Sequence, residues 1–457
     1  MAGEWRLGDV AEIIMGQSPP GTTYNERKEG LPFFQGVADF NYRHPTPRVY
    51  CTYPSRIARP GDILLSVRAP IGRVNVADRE CAIGRGLSIV RPRDCKDAQY
   101  IEFVLRYLEP QWHTIEGGGS VFGNATRSDL EKLPIPWLEN ENHRRAIAHI
   151  LGALDDKIEL NRRMNETLEA IARAIFKSWF VDFDPVIDNA LRAGNPIPSV
   201  LAEKAARRRE LLSRAIAEGR NSCSPKHIAD LFPDRFVDSE LGPIPAGWKV
   251  GRLNDVLRDL VSGARPKGGA IEEGVPSVGA ENVIGLGKYD FSKEKYVPKE
   301  FYEQLRSRGA NVRPGDVLIY KDGAQIGRKT YVDCWFPHED CAVNEHVFIL
   351  RTKEKEMQRY LFFWLDQEWM TAEIIGLNSN SAQPGINQKG VRQLPILLPR
   401  QEIIAAYDSL IAPMLSQLFT NCHESCALAA LRDGLLPKLI SGDITVKDAE
   451  QFVQEVV

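Results

Sequence analysis

The stretch RPGDILLS (Arg59–Ser66) occurs a second time as RPGDVLIY (Arg313–Tyr320). The repetition extends outward from it, because Cys341 lies 260 residues after Cys81 and is followed, like Cys81, by alanine. A nearly constant offset over so long a stretch indicates a duplicated unit. A duplicated globular unit followed by a duplicated helix is the layout expected of a molecule that binds two similar targets a fixed distance apart.

Each copy ends in a Leu-Pro-Ile segment, at Leu133 and Leu394, followed by a long helix with a heptad-like apolar seam. Polar residues interrupt both seams 260 residues apart, at Asn161 with Asn165 and at Asn421 with Ser425. We expect an antiparallel helix pair in which this polar layer fixes the register. The alternative is that the helices diverge there and these residues face solvent.

The composition is that of a globular protein of 457 residues with a formal net charge of −3. We expect two to four domains, no membrane-spanning segment and no secretory signal. The eight cysteines form no C-x-x-C pair, so we expect reduced thiols and a cytoplasmic protein. Cys422, His423 and Cys426 could contact a metal, but no second ligand pair follows them.

The repeat predicts an α+β fold with two β-rich globular domains in a pseudo-symmetric tandem, separated by two long antiparallel coiled-coil-like helices. The expected boundaries are 1–138 for the first globular domain, 139–183 for the first helix, 184–241 for a linker with a helix, 242–398 for the second globular domain, 399–441 for the second helix and 442–457 for the tail.

Catalytic motifs are missing from the sequence. It contains no phosphate loop, no dinucleotide-binding glycine motif, no nucleophile elbow, no metal-spaced histidines and no Asn/Asp-Pro-Pro-aromatic stretch of an amino-methyltransferase. Together these absences favour a binding protein. Two other interpretations stay open: a self-contained DNA-modifying enzyme with unrecognised motifs, and a two-domain protein adaptor that binds no DNA.

Paired polar and basic loops follow equivalent elements of the two copies and are suited to DNA. Arginine and lysine bind guanine edges and phosphates, while glutamine and asparagine bind adenine. The candidates are Gln17, Ser18, Arg68, Arg73, Arg85, Ser120 and Asn124 in the first copy, and Arg265, Lys267, Lys321, Gln325, Arg328, Lys329, Asn378, Ser379 and Asn380 in the second. Surface hairpins without a ligand are the alternative. Because Arg85 corresponds to a region around Glu345, we expect the copies to read different sequences.

With these features the chain resembles the specificity subunit of a type I restriction–modification enzyme, a host-defence system. The resemblance rests on the duplicated units, their Leu-Pro-Ile segments and the two helix endings, AIFKSWFVDFDP (Ala174–Pro185) and LLPKLISGDI (Leu435–Ile444). It covers nearly the whole chain except the linker and the tail.

The resemblance implies that each globular domain is a target recognition domain for one half of a bipartite, asymmetric site on double-stranded DNA. The helices would set the spacing and dock two methyltransferase (modification) subunits, and restriction/translocase subunits would join through that core. This chain would be non-catalytic and without a cofactor, with S-adenosylmethionine, ATP and Mg²⁺ on the partner subunits. Apolar residues on outer helix faces are candidate partner contacts: Ile150, Ile171, Phe176 and Leu410. They could instead form a second row of the helix core.

Overall fold

The computed structural model describes residues 5–112, 124–217, 225–378 and 385–456, which form two compact units. Unit 1 comprises residues 1–161 and 424–457, and unit 2 comprises residues 162–423. The Ser120, Ser379 and Asn380 candidates lie outside the described residues.

The strands are β1 Ala11–Met15, β2 Tyr24–Asn25, β3 Leu31–Phe34, β4 Val49–Cys51, β5 Ile57–Ala58, β6 Ile63–Ser66, β7 Val74–Val76, β8 Cys81–Ile83, β9 Leu87–Pro92, β10 Phe236–Val237, β11 Ile244–Pro245, β12 Lys249–Arg252, β13 Leu257–Ser262, β14 Val275–Val278, β15 Val283–Gly285, β16 Lys288–Tyr289, β17 Tyr296–Val297, β18 Val317–Tyr320, β19 Lys329–Tyr331, β20 Ala342–Val343, β21 Val347–Thr352 and β22 Pro395–Leu398. The helices are α1 Leu7–Val10, α2 Ala98–Leu108, α3 Arg127–Glu131, α4 Glu141–Phe180, α5 Asp184–Ala193, α6 Ala202–Ala217, α7 Lys226–Ala229, α8 Leu253–Val256, α9 Lys299–Ser307, α10 Met357–Leu365, α11 Glu368–Gly376, α12 Gln388–Gln393, α13 Gln401–Ser441 and α14 Val446–Val456.

The same sheet is built twice. Unit 1 contains a four-stranded antiparallel sheet in the order β1-β9-β6-β7, and unit 2 contains one in the order β13-β21-β18-β19. Beside each sheet, a parallel pair joins β3 to β8 in unit 1 and β14 to β20 in unit 2. The α+β tandem frame expected from the repeat is confirmed.

The repeated RPGD motif forms the turn before β6 and before β18. Asp62 accepts a hydrogen bond from the Arg59 backbone at 2.7 Å and pairs with Arg91 of the neighbouring strand. In unit 2, Asp316 accepts from the Arg313 backbone at 2.8 Å and pairs with Arg351. The aspartate therefore closes the turn and fixes the adjacent strand, which explains why the motif is repeated.

The long helices α4 and α13 run antiparallel within each unit, and their polar layer is packed. In unit 1, the side-chain amide of Asn161 donates to Glu424 at 2.7 Å. In unit 2, that of Asn421 donates to Asn165 Oδ1 at 2.8 Å. Asn161 and Asn421 are buried. The packed polar layer is confirmed over the alternative of solvent-facing residues.

A buried ionic cluster fastens the globular part of unit 1 to both long helices. The fully buried Asp155 of α4 accepts hydrogen bonds from Tyr42, from Arg106 of α2 at 3.0 Å and from Arg432 of α13. The carboxylate of Asp155 raises the pKa of Arg432 against the opposing effect of burial. Because a lone buried charge is costly, these partners depend on one another.

An aromatic cluster in unit 2 corrects one expectation about the helix surface. Phe176 of α4 is 0% exposed, with ring centroids 5.2–5.9 Å from its neighbours, which are Phe180, Tyr360, Phe363 and Tyr407. Ile150 is likewise buried, in the core of unit 1. The expectation that these two side chains lie on an exposed partner face is wrong, because the globular parts of the units cover them. Ile171 and Leu410 are 41% and 38% exposed.

The described residues of the linker in unit 2, 184–217 and 225–241, form three helices, α5, α6 and α7, where the sequence predicted one. Arg208 of α6 donates to Asp188 of α5 at 2.8 Å, and Asp188 is buried. This ion pair joins the two helices, so Arg208 has a structural role.

One helix within the described ranges, α13, is long and apolar enough to cross a membrane by length and composition alone. Its residues Tyr407, Ile411 and Leu415 are 0% exposed in the core of unit 2. This burial accounts for its apolar character as that of a core helix.

Candidate nucleic-acid interface

Loops of unit 1 that are distant in sequence meet at one end of its sheet. This loop edge 1 consists of Gly16–Ser18, Gln35, Val67–Arg68, Gly84–Gly86 and Asn124. Backbone hydrogen bonds join the loops: Gln17 N–H donates to the Ile83 carbonyl at 3.1 Å, and Val67 N–H donates to the Gly86 carbonyl at 3.0 Å. Arg68 also forms an isolated bridge with Asn124. Four loops predicted separately as DNA contacts are therefore adjacent, together with the loop that carries Gln35.

Glycine permits the close approach of these loops. A Cβ atom on Gly16 would lie 2.1 Å from the Gly84 carbonyl oxygen, and one on Gly86 would lie 2.2 Å from the Gln35 carbonyl oxygen. Any other residue at these positions would push the loops apart.

Loop edge 1 presents donor groups to solvent. Gln17, Arg68, Arg85 and Asn124 are exposed. Ser18 is partly buried, and its hydroxyl accepts from the Arg85 backbone and the Gln35 side chain, each at 3.3 Å. Ser18 therefore orders the loops.

Arg73 is less available for a DNA contact than its position in the basic loop implied. Its guanidinium pairs with Glu109 at 2.6 Å, although the side chain stays more than half exposed. The Arg73 candidate remains a prediction.

Unit 2 brings the corresponding loops together in loop edge 2, which consists of Gly263–Arg265, Gly279, Lys321–Asp322, Asn344–His346 and Gly385. Lys321 N–H donates to the His346 carbonyl at 2.9 Å, and Ile386 N–H donates to the Lys321 carbonyl at 2.9 Å. Asp322 forms an isolated bridge with Gly385. The Lys321 hydrogen bond and the Asp322 bridge match the Val67 hydrogen bond and the Arg68 bridge of loop edge 1.

The side chains of loop edge 2 have a different charge pattern. Arg265, Lys267 and Arg328 are exposed in or beside it. Lys321 is mostly covered, with its ammonium 5.0 Å from the centroid of the Phe348 ring. Arg265, together with Glu281, Lys295, Asn344, Glu345 and His346, lines a cavity of about 400 Å³ in this unit. Burial raises the pKa of Tyr320, and the nearby Asp322 carboxylate raises it further.

Gln325 and Asn378 lie close to loop edge 2 without projecting freely from it. Gln325 is partly buried in a short 3-10 turn, Gly323–Gln325. The side-chain oxygen of Asn378 accepts a hydrogen bond from the Gly385 backbone at 3.0 Å. Asn378 therefore stabilises the loop that carries Gly385.

Lys329 does not belong to the exposed set, so that candidate is wrong as a DNA contact. Its side chain is 6% exposed, and its ammonium donates to Thr371 at 2.7 Å inside unit 2. Burial, reinforced by the positive charge of Arg173, lowers the pKa of Lys329 to about 8. The residue lies at the start of β19, where its side chain is covered by α11.

Replacing Lys329 with methionine is expected to leave DNA affinity within about twofold of the wild type. The substitution should also remove the contribution of Lys329 to the pH dependence of the free energy of unfolding. Because the pKa is lowered in the folded state, the unfolded state binds more protons between about pH 8 and 10.5. The free energy of unfolding of the wild type should therefore rise with pH across this window, by on the order of 2 kcal/mol relative to the variant. Urea unfolding at pH 8 and pH 10 measures this difference, and a tenfold loss of DNA affinity would contradict the assignment.

The polar residues of these edges that were not predicted from the sequence include Gln35, Asp322 and His346. The repeat offset gave a partial signal, because His346 lies 260 residues after Gly86. Asp322 corresponds to Arg68 at an offset of 254. This offset is smaller than 260 because the chain from Asp322 to His346 is longer than the equivalent chain from Arg68 to Gly86. The repeated RPGD motif has this same offset of 254, from Arg59 to Arg313, so it aligns Asp322 with Arg68, whereas the 260-residue offset of the cysteines does not.

The described residues contain no group of three or more histidine, cysteine, aspartate or glutamate side chains placed to hold a metal ion. The thiol of Cys422 donates to the Gly287 carbonyl at 3.2 Å, and His423 bonds to the Cys334 carbonyl at 2.8 Å. Both side chains serve packing within unit 2.

Two copies of one frame, each with a glycine-packed loop edge of polar side chains, define a protein with two similar binding domains. The family model for the type I restriction modification DNA specificity domain matches residues 3–170 and 245–425. The chain therefore belongs to this family and is a specificity subunit, the DNA-recognition component of a type I restriction–modification system rather than its catalytic component.

Curated relatives carry the same description. The chain is 42% identical to the putative type I restriction enzyme MjaX specificity subunit of Methanocaldococcus jannaschii, over 36% of this chain and 38% of that protein. It is 24% identical to the MjaIX specificity subunit of the same organism, over 97% of this chain and 93% of that protein. The first match thus spans less than half of its relative, and the second spans nearly all of it.

A solved structure shows the same fold. The S subunit of the type I restriction–modification system from M. genitalium superimposes with a TM-score of 0.55, covering 95% of each chain at 15% sequence identity. The agreement supports the tandem arrangement of two mixed helix-and-sheet domains with long helices.

Proposed function

We propose that loop edge 1 and loop edge 2 each read one half of a bipartite, asymmetric site on double-stranded DNA. The observation that carries the proposal is the matched convergence of loops at the same end of two equivalent sheets, with different exposed side chains. Arg68 and Arg85 in one edge, against Asp322 and Glu345 in the other, cannot favour the same bases. Two equivalent sheets whose loop edges carry different side chains support two different half-sites.

We further propose that the recognition domains occupy residues 1–138 and 242–398, with residues 139–183 and 399–441 as the spacer helices. A linker at 184–241 and a tail at 442–457 complete the division. At 1.5 Å per residue, a helix of 40 residues is about 60 Å long. That length exceeds the helical repeat of DNA, about 34–36 Å, so it is sufficient for a spacer between two readers.

The partners in this proposal are two methyltransferase subunits and, through them, restriction/translocase subunits. The exposed Ile171 and Leu410, on α4 and α13 of unit 2, are the remaining candidates for the partner interface. S-adenosylmethionine, ATP and Mg²⁺ would be bound by the partners. We place the chain in the cytoplasm, where its cysteines, including the buried Cys51, Cys81 and Cys341, would stay reduced.

Replacing Arg68 with alanine tests the DNA-reading role of loop edge 1. Loss of a bidentate arginine contact to guanine is expected to cost about 1–3 kcal/mol of discrimination at one base pair. Only the first half-site should change, because loop edge 2 stays intact. Sequencing of random duplexes retained by the assembled complex measures the preference at each position.

The matched control is Arg79→Ala, since Arg79 is similarly exposed but precedes β8 at the opposite end of the strand from Gly84. It should leave both half-sites unchanged. Equal effects of the two substitutions, or a uniform weakening at all sequences from Arg68→Ala, would contradict base reading. Binding that lacks a steep dependence on salt would instead favour a protein adaptor.

A further inference from the structure

Asp322 occupies the place in loop edge 2 that Arg68 occupies in loop edge 1. Each residue lies two positions after the end of its strand, β6 or β18. The preceding residue, Val67 or Lys321, donates its N–H to a backbone carbonyl of a neighbouring loop. The acceptor is Gly86 in unit 1 and His346 in unit 2. Each then forms an isolated bridge with a late loop, at Asn124 or Gly385. One frame position thus carries a donor in one domain and an acceptor in the other.

The carboxylate of Asp322 is held in place from one side. His346 Nδ1 lies 2.8 Å from Oδ2 of Asp322, and Lys321 lies 3.9 Å from the same oxygen. Among the residues that the structure describes, Oδ1 takes part in no hydrogen bond, and the side chain is 33% exposed. A Cβ atom on Gly385 would lie 2.7 Å from Oδ1, so glycine leaves this oxygen room. The arrangement is an ordered acceptor with one oxygen available.

We infer that Asp322 is a specificity-determining residue of the second half-site and accepts a hydrogen bond from the N4 amino group of a cytosine in the major groove. The inference rests on the proposed function. A carboxylate accepts hydrogen bonds and cannot approach guanine N7 or O6, which are acceptors themselves. At equivalent positions, Arg68 would therefore select guanine and Asp322 would select a base with an exocyclic amino group.

Cytosine fits this carboxylate better than adenine does. The adenine amino group is flanked by two acceptors in the major groove, its own N7 and the O4 of the paired thymine. The cytosine amino group has an acceptor on one side only, the O6 of the paired guanine. A carboxylate therefore meets less repulsion at cytosine. His346 acts as a positioning residue, because it orients Asp322 and leaves the second oxygen to the base.

The test compares the wild type with Asp322→Asn in the assembled complex, by sequencing the duplexes retained from a random library. We expect one position of the second half-site, fixed as cytosine by the wild type, to lose its preference by about tenfold or more and to shift towards adenine. Asparagine has this effect because its amide can donate to N7 while accepting from N6. The first half-site, identified by its response to Arg68→Ala, should not change.

Two further variants separate base reading from structural damage. His346→Gln should relax the same position without favouring adenine, because Asp322 remains but is less well held. Glu300→Gln removes an exposed carboxylate of the same unit on α9, and it should change nothing. The inference is overturned if the wild-type second half-site lacks a fixed cytosine, if Asp322→Asn leaves its preferences intact, or if both half-sites change together. A wild type that selects no bipartite site would instead refute the proposed function.

Discussion

Replacing Phe176 with alanine is expected to lower the free energy of unfolding by about 3–5 kcal/mol. The ring is 0% exposed and lies against four other aromatic rings, so its removal leaves a cavity that the packed core cannot close. The cost follows from the position of Phe176 beneath the globular part of unit 2. Urea unfolding of the full chain, followed by tryptophan fluorescence, measures the change.

Ile171→Ala is the matched control, because Ile171 is on the same helix and 41% exposed. Its substitution should cost less than about 1 kcal/mol, since partial exposure reduces the apolar surface lost from the core. The same variant would weaken partner binding if Ile171 contacts a methyltransferase subunit. Equal destabilisation by the two substitutions would contradict the placement of Phe176 in the core.

Lengthening both spacer helices by one turn is expected to lengthen the unread gap between the half-sites and to leave both half-sites unchanged. The insertion points are between Asn161 and Arg162 and between His423 and Glu424, where the chain passes between the two units. Four added residues extend each helix by about 6 Å. At about 3.4 Å per base pair, the gap should grow by one or two base pairs. Methylation sequencing with the complete complex reads the gap directly.

The same four residues inserted between Glu240 and Leu241, in the exposed loop of the β10–β11 hairpin, provide the control. This insertion lengthens the chain but neither helix, so the gap should stay the same. A gap that is unchanged after the double-helix insertion, or new bases in either half-site, would show that the helices do not set the spacing.

Much of the frame could be predicted from the sequence because its motifs occur twice. The RPGD turns, the Leu-Pro-Ile segments and the long helices recur at nearly constant offsets, and local turn and helix rules apply to each. The polar layer at Asn161 and Asn421 was also predictable, since a repeated interruption of an apolar seam indicates a selected contact. These features depend on short-range patterns that the repeat makes visible.

The helix surface was harder to predict because burial there depends on contacts far away in sequence. Phe176 and Ile150 lie off the main seam of the helix pair, which made them candidates for an exposed face. In the fold, residues such as Tyr360 and Phe363, nearly 200 positions away, cover Phe176. Periodicity on one helix cannot show what a separate domain places over it.

The candidate site was predicted at the level of loops, but less well at the level of side chains. Loop composition identified most of the segments that converge at the two edges. It could not distinguish the exposed Arg328 from the buried Lys329 that follows it. The direction in which each side chain points depends on how the short strand is paired and on the packing of α11. Nor could it find Asp322 and His346 as a pair, since their hydrogen bond forms only when two loops meet.

The most direct test is methylation sequencing of DNA from a host that expresses this chain with the methyltransferase subunits proposed as its partners. Two different recognition domains on one frame predict methylated bases within a motif of two unlike specified blocks, separated by a gap of fixed length without sequence preference. A single uninterrupted motif, or two identical blocks in inverted order, would contradict the account.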